Sequence, residues 1–425
     1  MKPKSFILKG DICFSLDKDT LVTYEEHFLV CINGVSAGIF KALPQEYAAL
    51  EVLDYSGKLI IPGLTDLHIH APQYTFRGIG MDDELLSWLN NRAFPEEGRY
   101  SDTAYALEAY QSFAEAMQAS ATTRACIFAT VHVPATLILM DLMEKTGIRT
   151  LVGKVNMDRN APDYLVEKSS EQSAADTLAW LEACAGRYEN VSPIVTPRFI
   201  PSCSDELLRS LHGIQQKYAL PVQSHLSENT AEIELVGQLC SDAEFYGDAY
   251  DRFGLFGKDA PTIMAHCVYS GEKEILRMKE NGVYIAHCPQ SNTNIASGVA
   301  PVRKFVDMGV RCGLGSDVAG GTTESIFRAM TDAVQMSKIR WRLQDSTLRP
   351  LTFEEAFYLG TKGGGGFFGK VGSFETGYEF DAVVIDDAPP KHFHGITLRE
   401  RLEKFAYISS GHEIAHKFVS GKQLF

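Results

Sequence analysis

Residues 59–70 read LIIPGLTDLHIH, an apolar run that ends in two histidines two positions apart. Side chains two apart on a β-strand point to the same face, so His68 and His70 are expected to lie side by side. Imidazole nitrogen is a common ligand of divalent transition metals, although a His-x-His pair also occurs on ordinary protein surfaces. The stretch predicts a buried strand that ends in part of a metal site.

Apolar, β-rich runs alternate with helical patterns through the middle of the chain. After residues 59–70, the runs are Thr122–Thr130, Arg149–Met157, Ser192–Ile200, Pro221–Leu226, Thr262–Cys267, Val283–Cys288 and Arg311–Ser316. The helical patterns include Thr103–Ala119, Ala135–Lys145, Asp205–Tyr218, Glu272–Glu280 and Val302–Met308. Eight such alternations favour parallel strands with helical crossovers, and eight strands close a barrel.

We therefore predict an α/β fold whose main domain, residues 63–370, is a (β/α)₈ TIM barrel. A doubly wound open sheet is the alternative. That fold normally has a Gly-x-Gly-x-x-Gly turn after its first strand, and the turn is absent from this position.

Both ends of the chain consist of short strand-like segments separated by turn residues. They are Ser5–Lys9, Thr20–Tyr24, His27–Ile32, Gly34–Phe40, Lys58–Ile61, Phe380–Ile385 and Lys417–Leu424. Neither end has enough strands for a stable sheet of its own. We predict that residues 1–62 and 371–425 pair into one smaller β-sandwich domain.

Polar residues follow several of the predicted barrel strands, at the end where TIM barrels carry their active sites. His225 lies at the end of the fifth run, with Glu228 two residues beyond it. His266 lies at the end of the sixth run, and Asp317 directly follows the eighth. A single buried histidine is more often a core residue with satisfied hydrogen bonds than a ligand. Four histidines and an aspartate at one end of four strands instead predict a metal site, because buried polar groups are costly without partners.

The composition disfavours several classes of partner. The net charge of −14, from 54 acidic and 40 basic residues, repels phosphate backbones and disfavours nucleic acid. No apolar run approaches the ~20 residues of a membrane span, and the N-terminus lacks a signal-peptide core. Nine scattered cysteines without a Cys-x-x-Cys pair indicate reduced thiols. We expect a cytoplasmic protein without a membrane partner. We also expect a homodimer, with residues 324–343 as a candidate interface.

The first-strand segment Pro62–His70 resembles the signature of the amidohydrolase superfamily, a group of metal-dependent hydrolases. The metal ligands that this resemblance implies are His68, His70, His225, His266 and Asp317. Many dinuclear members bridge two ions with a lysine at the end of strand 4. Here the segment Thr196–Ile200 has no lysine, so a single ion is implied, most simply Zn²⁺, with Fe²⁺ as the alternative.

The chain is more closely similar to the guanine deaminase branch of that superfamily. The segments that carry the likeness are His70–Tyr74, Leu85–Asn90, Phe94–Glu97, Arg198–Phe199 and His225–Glu228. Leu85–Asn90 followed by Phe94–Glu97 resembles the loop that covers the site in that branch. The sequence departs at Leu67, where that branch commonly has threonine. The resemblance implies hydrolytic deamination of guanine to xanthine and ammonia. The implied catalytic residues are Asp317, which takes a proton from the attacking water, and Glu228, which protonates a ring nitrogen.

The substrate-binding residues implied by the resemblance are His70, Gln73, Trp88, Arg198, Phe199, His225, Glu228 and Asp317. Guanine presents O6 and N7 as adjacent acceptors, which the Arg198 fork can satisfy together. Gln73 offers one donor and one acceptor group, and Trp88 and Phe199 offer flat walls. In the structural alternative, Arg198 serves only in a salt bridge and the aromatics belong to the core.

Other functions remain open at the level of sequence. A different purine or triazine hydrolase would share the same metal ligands, and a non-catalytic scaffold would share the barrel. His287 also follows a strand, but we expect it to form a local hydrogen bond and exclude it from the metal ligands.

Overall fold

The structure is a computed structural model that describes residues 5–387, 395–409, 411 and 413–425. Its strands are β1 (Phe6–Ser15), β2 (Leu21–Ile32), β3 (Val35–Phe40), β4 (Val52–Pro62), β5 (Leu64–His70), β6 (Thr122–Phe128), β7 (Arg149–Gly153), β8 (Val155–Asn156), β9 (Val191–Pro193), β10 (Thr196–Pro197), β11 (Val222–Leu226), β12 (Thr262–His266), β13 (Tyr284–His287), β14 (Arg311–Leu314), β15 (Ala382–Ile385), β16 (Ile414–Val419) and β17 (Lys422–Gln423).

The α-helices of the described residues follow the same order. They are α1 (Leu85–Trp88), α2 (Phe94–Gly98), α3 (Thr103–Ala119), α4 (Val133–Thr146), α5 (Ser170–Cys184), α6 (Asp205–Tyr218), α7 (Thr230–Leu239), α8 (Asp248–Asp251), α9 (Glu272–Asn281), α10 (Pro289–Asn294), α11 (Val302–Asp307), α12 (Ile326–Leu343), α13 (Phe353–Tyr358) and α14 (Leu398–Ile408). None of them is both long and apolar enough to cross a membrane.

The strands of the central region pair in parallel. One sheet has the order β5-β6-β7-β9 and another the order β11-β12-β13-β14, with β8 and β10 paired beside them. Backbone hydrogen bonds continue between the sheets: Gln223 N donates to Val195 O at 3.0 Å, and Asp317 N donates to His68 O at 2.9 Å. The carboxyl ends of these strands therefore meet on one side of the molecule.

Helix boundaries in this region agree closely with the sequence. Helices α3 and α6 span the predicted residues. Asp102 caps α3 by accepting a hydrogen bond from Ala104 N, and Ser204 caps α6 by accepting one from Leu207 N. A side-chain acceptor at this position satisfies an N–H that has no partner within the helix, which fixes where the helix begins.

The apolar run of residues 59–70 is two strands and not one. β4 pairs antiparallel with β15, whereas β5 pairs in parallel with β6. The chain passes between the two sheets at Gly63, where an added Cβ would lie 2.2 Å from Thr123 Oγ1. Glycine allows this close approach because it has no Cβ. The predicted runs of residues 149–157 and 192–200 are likewise interrupted and form two strands each.

Strands from both ends of the chain form one seven-stranded sheet, in the order β17-β16-β15-β4-β1-β2-β3. The sequence predicts a sandwich, but within the described residues these strands are hydrogen-bonded in a single sheet. Its core includes Phe6, Leu8, Ile12 and Phe14, alternate or near-alternate positions of β1. Helix α14, which Thr397 and Glu400 cap reciprocally, lies within the expected β region and was not predicted.

An ion cluster joins the terminal sheet to the parallel strands; its Arg124 and Asp381 side chains are buried, whereas that of Glu379 is 41% exposed. Arg124 of β6 donates from Nε to Asp381 Oδ2 at 2.6 Å and from Nη2 to Glu379 Oε2 at 2.8 Å. Ser420 also donates to Glu379 at 3.0 Å. Removing Arg124 or Asp381 would leave the other charge without this partner away from water, which is costly, so the pair fixes how the two parts meet.

Candidate metal centre and active site

The five residues predicted as metal ligands lie together at the carboxyl ends of the parallel strands. His68 and His70 are on β5, with both side chains on the face predicted from their spacing. His225 is on β11, His266 ends β12, and Asp317 follows β14 by three residues. All five are buried.

Their ligand atoms are at contact distances from one another. Nε2 of His70 lies 3.2 Å from Nε2 of His68 and 3.2 Å from Nε2 of His225. Asp317 Oδ1 lies 3.2 Å from His68 Nε2, and Asp317 Oδ2 lies 3.7 Å from His266 Nε2. Imidazole nitrogens with a carboxylate oxygen suit Zn²⁺ or Fe²⁺, so the residues present fit one such ion.

Neighbouring groups orient two of the imidazoles. Nδ1 of His225 lies 2.6 Å from the carbonyl oxygen of Arg198, and Nδ1 of His266 lies 2.8 Å from Asn292 Oδ1. A carbonyl oxygen only accepts, so each Nδ1 carries the proton and each Nε2 presents its lone pair to the site. Such partners fix the tautomer of a ligand histidine.

Burial and charge hold these groups in the protonation states that a metal ion needs. Burial lowers the pKa of His70 and His225 well below the ordinary value, which keeps both rings neutral. Burial raises the pKa of Asp317, but the neighbouring His68 and His266 outweigh it and bring the pKa to about 2. Neutral imidazoles and an ionised carboxylate are the ligand forms of these residues.

The backbone leaves regular strand geometry at two of these residues. His266 has φ 73°, and Asp317 has φ 49°, both in the left-handed region. Non-glycine residues adopt that region at an energetic cost and are found there mostly where the surroundings fix them, often at functional sites. These turns aim the two side chains back toward β5.

Glu228 lies beside this cluster without belonging to its closest contacts. Its Oε2 is 3.4 Å from His266 Nε2, and its Oε1 accepts a hydrogen bond from Ser297 Oγ at 3.2 Å. Burial, followed by the charges of Asp317 and Glu232, raises the pKa of Glu228 well above the ordinary value. A carboxyl group in this environment is protonated more readily than an exposed one and can donate its proton.

A pocket opens directly onto these groups. The side chains that line it are His70, Gln73, Leu85, Trp88, Leu89, Arg198, Phe199, His225, Glu228, His266, Ser291, Ile295 and Asp317, with Gly320. All eight residues predicted to bind substrate are therefore at one cavity. Leu85, Leu89, Ser291 and Ile295 were not predicted from the sequence. Leu85 begins α1 and Leu89 directly follows it, in the segment expected to cover the site.

Residues 59–424 match the model of the amidohydrolase family. The chain belongs to this family. Guanine deaminase of Dictyostelium discoideum is 38% identical over 381 residues, which cover 88% of this chain and 84% of that protein. Guanine deaminase of Homo sapiens is 36% identical over an alignment of 447 residues, covering 100% of this chain and 97% of that protein. A crystal structure of guanine deaminase from C. acetobutylicum with guanine bound in the active site is 44% identical, with a TM-score of 0.95 and coverage of 99% and 100% of the two chains.

Arg198 of this amidohydrolase forms a buried salt bridge, as expected if its role were structural. Its side chain also lines the pocket, as expected if it binds substrate. Its Nη1 donates to Glu97 Oε2 at 2.5 Å and its Nη2 donates to Glu97 Oε1 at 3.0 Å. Gln73 Nε2 donates to the same carboxylate at 2.8 Å. Glu97 was expected only as part of the covering loop, because a partner 101 residues from Arg198 in sequence leaves no local signal.

His287 does not form the local hydrogen bond expected of it. Neither ring nitrogen has a hydrogen-bond partner among the described residues, and burial lowers the pKa of His287 to about 3. The ring is therefore neutral, and it is absent from the clusters of ligand atoms in the described part of the chain. The neighbouring Cys288 instead places its thiol close to His266 and Asp317. Lys154, which lies in the third predicted run, pairs with Glu167.

Proposed function

We propose that this amidohydrolase removes the amino group of guanine by hydrolysis, giving xanthine and ammonia. The observation that carries the proposal is the meeting, in one pocket, of a buried histidine–aspartate cluster, a buried carboxyl group at Glu228 and two polar residues, Gln73 and Arg198. The guanine deaminases that resemble the chain over most of its length support the choice of substrate.

We propose that the cluster holds one divalent ion, Zn²⁺ or Fe²⁺. The proposed metal ligands are His68, His70, His225, His266 and Asp317. Such an ion supplies an activated water near neutral pH, because binding lowers the pKa of water from about 15.7 to about 7. Asp317 is ionised and stands among the ligands, so it accepts a proton from the attacking water and orients it.

Glu228 supplies the proton that the ring needs. Its carboxyl group is within the pocket and beside His266, so it protonates the ring nitrogen next to the carbon under attack. Protonation makes that carbon a better electrophile. The Glu228 carboxylate that results takes the hydroxyl proton of the tetrahedral intermediate and passes it to the departing amine, and the proton held by Asp317 restores Glu228 for the next cycle. The walls of the cavity, which include Trp88, Phe199 and Ile295, exclude bulk water from this exchange.

Recognition of the base rests on Arg198 and Gln73. A guanidinium has five N–H groups, and the salt bridge with Glu97 uses two of them, so donors remain for O6 and N7 of guanine. Adenine would place an amino donor against these donors, at a cost of ~1–3 kcal/mol per mismatched contact. The site is therefore proposed to prefer the 6-oxo base.

Ammonia release from guanine, adenine, cytosine and their nucleosides tests the function, with elemental analysis of the same preparation. We expect rapid release from guanine alone and about one metal ion per chain. Faster turnover of another purine, or of an amino-triazine included as a control, would assign the site to a different ring. A folded preparation that takes up no metal and releases no ammonia would identify a scaffold.

We also propose the remaining features of the architecture. The parallel strands of residues 63–370 close into a (β/α)₈ barrel, supported by the hydrogen bonds between β14 and β5. Residues 1–62 and 371–425 form one composite β domain, supported by the pairing of β4 with β15 in a single sheet. An experimental structure tests both assignments.

A cytoplasmic homodimer without nucleic-acid or membrane partners is part of the same proposal. All nine cysteines are buried thiols, which fits a reducing compartment. On α12, Ile339 and Leu343 are 44% and 75% exposed, and this apolar surface supports an interface within residues 324–343. Light scattering on the purified protein distinguishes a dimer from a monomer, and Leu343→Glu should shift a dimer toward the monomer.

A further inference from the structure

Glu97 is an almost completely buried anion outside the proposed catalytic groups. Its side chain is 1% exposed, and it belongs to α2 in the segment that covers the pocket. Both of its oxygens accept hydrogen bonds from Arg198, at 2.5 and 3.0 Å, and Oε1 also accepts one from Gln73 at 2.8 Å. One carboxylate thus holds both polar residues proposed to recognise the base, while Glu97 itself does not line the pocket.

The contact with Glu97 fixes which way the Gln73 amide faces. A carboxylate only accepts hydrogen bonds, so the NH₂ group of Gln73 must point toward Glu97. The opposite end agrees, because Gln73 Oε1 accepts a hydrogen bond from Ala319 N at 3.1 Å. Ala319 is two residues beyond Asp317, so the chain of contacts runs from the covering segment to the loop of a proposed metal ligand.

The charge of Glu97 also matters for Arg198. The guanidinium is 3% exposed, so its charge is almost completely removed from water. Without a counter-charge, a buried guanidinium would stand in one cavity with a divalent ion, which is electrostatically unfavourable. The Phe94 ring, 5.1 Å from the guanidinium carbon, packs on the same group. Arg198 is therefore both neutralised and held in place from α2.

We propose that Glu97 is a positioning residue that determines substrate specificity. It aims the Arg198 fork at the 6-oxo and N7 edge of the base and sets which Gln73 group is presented to it. The inference rests on the proposed function, because it concerns recognition of the same base. It predicts that Glu97 acts through Arg198 without contributing to the chemical step.

The Glu97→Gln variant tests this role, because it keeps the shape of the side chain but removes the charge. It also brings an NH₂ donor against the donors of Arg198 and Gln73. We expect kcat/KM for guanine to fall by about 100-fold, the scale of loss that misplacing a positioning group can cause. Most of the loss should be in KM, and the metal content should be unchanged.

Two probes separate recognition of the 6-oxo group from general damage. Hypoxanthine carries the 6-oxo group and purine lacks it, and the binding of each is measured by calorimetry, without turnover. We expect Glu97→Gln to weaken the binding of hypoxanthine at least 10-fold more than the binding of purine. In an Arg198→Met background, the same substitution should have a clearly smaller effect on the binding of hypoxanthine than in the wild type, because one of the two residues it acts through is gone.

Glu96→Gln is the matched control. Glu96 is the adjacent carboxylate of α2, but it contacts Arg99 at 2.9 Å and Thr75 at 2.7 Å, away from the pocket. This variant should leave the ratio of hypoxanthine affinity to purine affinity unchanged. If Glu97→Gln does not fold, Glu97→Asp replaces it as the test. Asp retains the charge but is shorter, so it should still lower the ratio of hypoxanthine affinity to purine affinity.

Glu97 is only structural if Glu97→Gln weakens the binding of hypoxanthine and purine equally. The same conclusion follows if the loss of hypoxanthine binding is the same with and without Arg198. An unchanged ratio in both Glu97 variants would also overturn the inference. Failure of the proposed function is a separate result, because it would appear as a wild-type protein with full metal content that releases no ammonia from guanine.

Discussion

The carboxylate of Asp66 joins the first and last parallel strands through Ser316. Its Oδ1 accepts a hydrogen bond from Ser316 N at 3.0 Å, and its Oδ2 accepts one from Ser316 Oγ at 2.5 Å. Oδ1 also accepts from His68 N at 3.1 Å. His68 and Asp317 are thereby held at a fixed separation, because each is within two residues of an end of this bridge.

Replacing Asp66 should therefore weaken the metal site without removing a ligand. We expect Asp66→Ala to lower metal affinity by 10–100-fold, the range found when groups supporting metal ligands are lost. Asp66→Asn should have a smaller effect, since it can keep an acceptor for both backbone N–H groups. Competition with a chelator of known affinity measures the change. Wild-type metal retention in Asp66→Ala would contradict a positioning role.

Glu228→Gln should separate proton transfer from metal binding. The amide keeps the size of the side chain but cannot deliver a carboxyl proton to the ring. We expect kcat to fall by about 10²–10⁴-fold, the usual contribution of a general acid or base. Stoichiometric metal in the variant is the required control. A metal-loaded variant with near-normal turnover would remove Glu228 from the mechanism.

The sequence was informative where a physical constraint is local. Helix caps such as Asp102 and Ser204 mark helix starts, and the two-residue spacing of His68 and His70 fixes their common face. The cluster of histidines and Asp317 could be anticipated because polar residues at the ends of apolar runs meet at one end of parallel strands. Strand boundaries were less accurate, since Gly63 divides one apolar run between two sheets.

Contacts between distant side chains could not be predicted in the same way. The pairing of Arg198 with Glu97 depends on how the covering segment folds over the pocket, and nothing near either residue specifies it. The orphaned ring of His287 is a similar case, because a strand-end histidine has the same sequence pattern whether or not it finds a partner. Such contacts follow from the packed fold and not from local pattern.

The buried amine of Lys417, which lies away from the candidate site, should make the free energy of unfolding depend on pH. It is fully buried on β16, and burial lowers the pKa of its amine to about 7. In the unfolded chain the pKa is about 10.4, so between these values the unfolded state holds a proton that the folded state lacks. The free energy of unfolding therefore rises with pH in this window, by up to ~1.4 kcal/mol per pH unit from this group.

Lys417→Met removes that pH-dependent contribution. The stability of the variant relative to wild type should be most favourable at pH 7 and below, and should decline as the pH rises from 7 to 10. Nζ donates to Met117 O at 3.0 Å and to Thr122 O at 3.2 Å, so the variant also loses two hydrogen bonds, an effect with little pH dependence. Melting temperatures of both proteins at pH 7, 8 and 9 give the comparison. A constant difference would show that Lys417 does not titrate in this range.

Trp88 should donate a hydrogen bond to the substrate as well as forming a wall. It is 3% exposed and lines the pocket, and its Nε1 has no hydrogen-bond partner among the described residues. A buried donor without a partner is costly, and a ring acceptor of the base would satisfy it. We expect Trp88→Phe to raise KM for guanine about 2–10-fold with little change in kcat, the scale of one net hydrogen bond. Trp180→Phe is the control, because Trp180 Nε1 already donates to Met140 Sδ at 3.2 Å. Equal KM values for the Trp88 variant and wild type would leave the ring as an apolar wall only.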